Sequence, residues 1–164
     1  MRAKGQLLST EFLLGTVIFC VLLLLVIVAF SDVNNVINFK ISDKKNYEIA
    51  FTVSDMLVLS KGSPEDWEDL NISEIKIIGL AKTENDLDEN KLQVFLDSNS
   101  QYDAVKSKMG VGGNELYVSI ANNVSGELIG EFGIYPTVST NVTTVTRYAV
   151  LNSAIVKVNI KVWG

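Results

Sequence analysis

The chain has 164 residues, enough for about one domain at roughly 100–200 residues each, and its 48% apolar content places it among chains that fold. It has no histidine and one cysteine, which excludes Ser-His-Asp and Cys-His nucleophile arrangements, zinc sites built on imidazole or several thiolates, and an intramolecular disulfide. The net charge of −5, from 14 basic and 19 acidic residues, argues against a nucleic-acid partner, which needs clustered Lys and Arg, and the composition points to no enzyme and no cofactor.

Arg2 and Lys4 lead into the first element, a run of 19 uncharged residues from Phe12 to Phe30. At a rise of about 1.5 Å per residue such a helix is roughly 28 Å long, close to the ~30 Å hydrocarbon core of a bilayer. Residues 1–30 hold two bases and one acid, Glu11; removing them from the totals leaves 12 bases and 18 acids, a net −6, for residues 31–164. Basic residues before the run and Asp32 after it predict a single-pass membrane protein with a cytoplasmic N-terminus and an exterior head. The alternative is a secretory signal peptide cut after the small-x-small triplet Ala29-Phe30-Ser31, although this apolar run is longer than the usual ~7–15 residues.

The residues Lys4-Gly5-Gln6-Leu7-Leu8-Ser9-Thr10-Glu11-Phe12-Leu13-Leu14 resemble the class III signal peptide of archaeal type IV pilin-like proteins. In that family a short basic leader ends in glycine, and a Q-x-S-x-E motif opens a long apolar helix. The resemblance implies a prepilin peptidase as one partner, cutting on the cytoplasmic side, and other pilin-like subunits as further partners. It matches Gly5 to the residue before the cut, Gln6 to the new N-terminus and Glu11 to the pilin glutamate. Ser9 and Glu11 keep the S-x-E spacing, but Gln6 stands one residue early, so the cut falls after Gly5 or after Gln6. The stretch Gly62-Ser63-Pro64-Glu65-Asp66-Trp67-Glu68, with Ile78-Gly79-Leu80-Ala81, Tyr102 and Tyr117, is similar to the globular region of such proteins and extends the resemblance over residues 1–120.

Glu11 also has a physical reading of its own. A carboxylate at the edge of lipid is costly unless paired. An α-amino group freed by cleavage, on the same helix or on a neighbour shifted by about one turn, would neutralise it and set the stagger between subunits. The plainer alternative is a flank at headgroup level beside Lys4 and Arg2. Cys20, in the middle of the run, reads as a small hydrophobe without a role.

Apolar positions Val33, Ile37, Ile41, Tyr47, Phe51 and Val58, with Ala50, Ser54 and Leu57, predict that the helix continues to about residue 60, with Ser42–Asn46 offering a break. Gly62 reads as its stop; Ser63 as an N-cap, Pro64 at the first helical position and Asp66 then predict one or two helical turns over 64–70. Alternation over 74–80 predicts a strand. Asp88 reads as the N-cap of a helix to about Leu96, with Leu87 and Leu92 as its hydrophobic staple, and 101–109 as a further helix stopped by Gly110. Period-two patterns over 116–120, 128–135, 145–151 and 156–162 predict four strands, the last two joined by a tight Asn152-Ser153 turn.

These elements predict an α+β fold: a long N-terminal hydrophobic helix followed by a small head with an antiparallel sheet and short helices, as in type IV pilin-like proteins. The divisions are a leader over 1–5, a transmembrane and assembly helix over 6–30, a helix extension over 31–62 and an extracellular head over 63–164. Asp86, Asp88 and Asn90 fall short of a calcium loop, because Lys91 stands where glycine is needed and Asp97 where glutamate is needed, so no metal site is expected. Sequons at Asn71, Asn123 and Asn141 offer N-glycosylation in an exterior domain. Trp67 and Trp163 read as core or sheet-edge anchors. The function these readings imply is that of a cell-surface filament subunit, major or minor; a monomeric membrane-anchored binding module is the rival.

Overall fold

In the computed structural model the described residues are 10–137 and 141–164, with only the backbone described for 10, 11 and 31–41. Two compact units are present, Met1–Ser42 and Asp43–Gly164, and their boundary falls inside the first helix, α1 (Thr10–Leu59). The backbone stays helical across Ser42–Asn46, where the polar residues offered a break. The upper part of the expected apolar stripe, Val33, Ile37 and Ile41, lies outside the described side chains.

In the second unit the buried face of α1 is made by Asn46, Ala50, Val53, Ser54, Leu57 and Val58. That stripe has the spacing of one helical face but is rotated from the one expected: Tyr47 and Phe51 lie at its margin, stacked at 6.1 Å and partly in solvent. The end of α1 is closed by the chain that crosses it. Leu80, Ala81 and Asn85 donate backbone N–H groups to the carbonyls of Leu57, Ser60 and Val58, satisfying acceptors that a helix end leaves orphaned. This crossing explains Gly79, since a Cβ there would stand 2.2 Å from the Ser60 carbonyl oxygen.

The same crossing corrects the strand expected over 74–80. Ile75, Ile78 and Leu80 are buried, but the segment forms a turn and a single bridge, Ile77 with Ser63, before a short strand β1 (Ala81–Thr83) begins. Ile75 and Ile78 fill the core without a ladder, while Ile77 is exposed. Ser63 takes part in that bridge instead of capping a helix, and a 3-10 turn spans Trp67–Asp69. Gly62, with φ +90°, lies beyond the end of α1 and lets the chain turn against the Trp67 indole. Trp67 is buried and donates Nε1–H to the Gly79 carbonyl at 2.8 Å.

After β2 (Asp86–Leu87), Asp88 caps α2 (Glu89–Asp97): its carboxylate accepts from the backbone N–H of Asn90 and Lys91. Leu87 and Leu92 are both buried, as a staple requires. A 3-10 turn (Ser98–Gln101) leads into α3 (Tyr102–Lys108). Gly110, with φ +70°, ends α3; its N–H bonds the Ser107 carbonyl and that of Val111 bonds the Lys106 carbonyl, the paired Schellman pattern.

Strands β3 (Glu115–Asn122), β4 (Leu128–Gly133), β5 (Thr143–Leu151) and β6 (Ala154–Trp163) come where the period-two pattern places them. Asn152 and Ser153 both have positive φ, so the β5–β6 hairpin closes on a type I′ turn, whose twist matches that of its strands. The expected four-stranded antiparallel sheet is a six-stranded mixed one, ordered β1-β2-β5-β6-β3-β4, with β2 and β5 parallel and every other pair antiparallel. Two-residue β2 docks beside β5 at Asp86 and Val150, a pairing too short to leave a pattern. The core lies between one face of the sheet and the helices, centred on Phe95 and Phe132 with rings 4.5 Å apart. Trp163 ends β6 opposite Glu115, half-buried at the sheet end.

Candidate functional site

Gly5 and Gln6 lie outside the described residues, and Glu11 is described only as backbone within α1. The next segment, Phe12–Phe30, is helical, has a mean hydropathy of 3.2, and has none of its residues buried in this chain. An apolar surface of this extent must be covered by lipid or by other chains. Its length and composition suit a membrane span, and a signal sequence near an N-terminus has the same properties. The Thr16 hydroxyl is satisfied within the helix, donating to the Phe12 carbonyl at 2.8 Å, so it adds no open polar group to the run. Cys20 is a free thiol on the exposed surface.

The three sequons differ in their surroundings. Asn123 sits on the β3–β4 turn, exposed, while the neighbouring Asn122 side chain organises that turn by accepting from Val124 and Ser125 N–H. Asn71 is exposed too, but its carboxamide lies 3.4 Å from the Glu74 carboxylate. Asn141 is half-buried.

Two charged side chains, Lys91 and Arg147, tie elements of the head together in roles the sequence pattern did not assign them. Lys91, on α2, is buried; its Nζ donates to the Lys61 carbonyl at 2.7 Å and to the Glu65 carbonyl, and pairs with the Glu68 carboxylate at 3.8 Å. It ties α2 to the chain leaving α1. Glu65 itself accepts from the Lys61 ammonium at 2.6 Å, which holds its carboxyl below the usual range. Arg147 points inward from β5 and clamps α1: Nε donates to Ser54 Oγ at 3.1 Å, Nη2 pairs with Asp55, and the guanidinium lies 4.6 Å from the centre of the Phe51 ring. The alternation Val145, Arg147, Ala149 carries a signal for this, since it places an arginine at core parity. No such signal marks Lys91.

Two tyrosines complete the polar framework. Burial and a hydrogen bond to Glu115 push the Tyr102 phenol well above its ordinary range, while the same bond, with Lys106 nearby, holds the Glu115 carboxyl low. Burial and the bond to Glu131, 2.6 Å long, push the Tyr117 phenol up to about 12. Each of these contacts joins one element of the head to another. Among the described residues no group of three His, Cys, Asp or Glu side chains is placed to hold a metal ion. Comparison with family models, curated proteins and solved structures found no match to this chain.

Proposed function

We propose that this chain is a type IV pilin-like cell-surface protein, processed by a prepilin peptidase after Gly5 or Gln6 and assembled with other such subunits through its N-terminal hydrophobic helix. The observation that carries the reading is a fully exposed 19-residue apolar helix directly preceded by the Ser9-x-Glu11 pattern and followed by an acidic α+β head. Lipid would cover Phe12–Phe30 before assembly and neighbouring helices afterwards, with Glu11 meeting the amine that cleavage frees. The role is structural and not catalytic. The head would lie outside the cell, where the sequons at Asn71, Asn123 and Asn141 offer acceptors for N-glycosylation, with Asn123 exposed on its turn.

The mature N-terminus tests this directly. Mass spectrometry of the protein recovered from its native membrane is expected to find a chain beginning at Gln6 or Leu7. A chain beginning at Met1 would instead identify a tethered binding module, and one beginning at Asp32 a secreted domain.

A further inference from the structure

Charge on the head is segregated. From Ile134 to Gly164 the chain has three bases, Arg147, Lys157 and Lys161, and no acid; from Glu65 to Asp103 it has eleven acids against three bases. The first stretch builds β5 and β6. The second builds β1, β2, α2 and the turns around them, where Glu65, Asp66, Asp69, Glu84 and Glu89 are exposed.

On β6, Val156, Val158, Ile160 and Val162 point into the core, so Lys157, Asn159 and Lys161 lie on the opposite face, alongside Thr144, Thr146 and Tyr148 of β5. The helices pack against the core face. On the outer face Tyr135, Tyr148 and Ile155 are each more than half exposed. Lys161 is held there: its Nζ lies 4.6 Å from the centre of the Tyr135 ring and 5.6 Å from that of Tyr117, and the two rings meet edge-on at 5.1 Å. An ammonium steadied on aromatic rings loses less freedom on meeting a partner than a lysine sweeping through solvent. The face so formed carries Lys157 and Lys161 among Tyr135, Tyr148 and Ile155, with Glu131 of β4 on the same side accepting from the Tyr117 hydroxyl.

We infer that the outer face of β5 and β6, centred on Lys157 and Lys161, docks against the acidic surface of a second copy of this chain. The occupant is argued from charge complementarity, because the same head exposes Glu65, Asp66, Asp69, Glu84 and Glu89, opposite in sign to Lys157 and Lys161. Heads with a net negative charge repel when crowded, and bringing unlike patches together offsets that repulsion. Two different patches on one head make a heterologous contact, which repeats from copy to copy. The inference deepens the filament reading and rests on it for the shared orientation of the heads; anchoring in one membrane raises the effective concentration at which a weak contact forms.

The test uses the full chain in phosphatidylcholine vesicles, prepared as an equal mixture of heavy-nitrogen-labelled and unlabelled copies and treated with a carbodiimide that joins amine directly to carboxylate. Mass spectrometry is expected to find mixed-isotope links from Lys157 or Lys161 to acids between residues 65 and 89, falling about fivefold or more at about 0.5 M salt, where screening is strong. K157E should lose the Lys157 links and K157E/K161E all of them, and mixing K157E/K161E copies with D66K/D69K copies should restore them with the chemistry reversed. Links confined to single-isotope species, or mixed links that persist in K157E/K161E through other lysines alone, would overturn the inference. Vesicle cross-linking does not require leader cleavage, so an uncleaved N-terminus would count against the filament reading while leaving this contact to be judged by its own links.

Discussion

Lys91 shows how one buried charge holds two elements together. Its ammonium satisfies two backbone carbonyls and faces Glu68, whose side chain is only 13% exposed. Replacing it with methionine keeps the aliphatic stem but leaves a buried carboxylate and two carbonyls without a donor, at an expected cost of about 3 kcal/mol. Chemical denaturation of Lys91→Met against wild type reads this as a lower midpoint at unchanged slope; an unchanged midpoint would show that the pair contributes nothing. Tyr117 has its own signature in pH. A phenol raised to about 12 in the folded head and near 10 when unfolded adds stability that is fully present below about 10 and is lost as pH rises towards 12. Tyr102 acts in the same direction. Thermal melts between pH 9 and 12 should therefore fall steeply for wild type and less steeply for Tyr117→Phe. At this scale the sequence was legible where a residue acts on its own backbone, as Asp88 does, and illegible where a side chain reaches across the chain, as Lys91 does over 30 residues to Lys61.

Among the elements, α3 ends on a glycine whose conformation matters more than its size. Gly110 has φ +70° and open space where a Cβ would stand, so Gly110→Ala meets no clash and incurs only the left-handed backbone penalty, about 1 kcal/mol. Gly79→Ala should be far worse, because its Cβ would collide with the Ser60 carbonyl where the chain crosses the end of α1. Comparing the two melting temperatures separates strain from collision: a small drop is expected for the first and loss of cooperative folding for the second. The α2 and α3 helices and strands β3 to β6 were legible because period, cap and turn agree in each, down to the Asn152-Ser153 turn. The residues over 74–80 were not. Their isoleucines alternate as a strand would, but the N–H groups of Lys76 and Ile77 go to the Ser63 carbonyl and those of Leu80 and Ala81 to the end of α1, a tertiary demand that local pattern does not record.

For the whole molecule, the exposed run Phe12–Phe30 and the acidic head set the behaviour, and both were plain in the distribution of charge along the chain. The mixed sheet was legible only in its four long strands, β3 to β6. The proposed processing residues Gly5 and Gln6 and the proposed assembly residue Glu11 rest on the sequence pattern alone. Glu11→Ala is predicted to leave membrane insertion intact, since removing a charge at the edge of an apolar helix does not weaken its partition into lipid, while abolishing assembly. Membrane fractionation and electron microscopy of surface filaments measure the two effects separately; normal filaments from the variant would remove the pairing role of Glu11.

The way α1 ends has a mechanical consequence. A pull on the chain upstream of Asp43 enters the head through a helix whose Ala50, Val53 and Leu57 are interlocked with the core and whose final carbonyls are stitched to residues 80–85. Tugging cannot peel that helix away one contact at a time, because its side chains and its terminus bear the load together. A head built this way should resist traction until it gives as a unit.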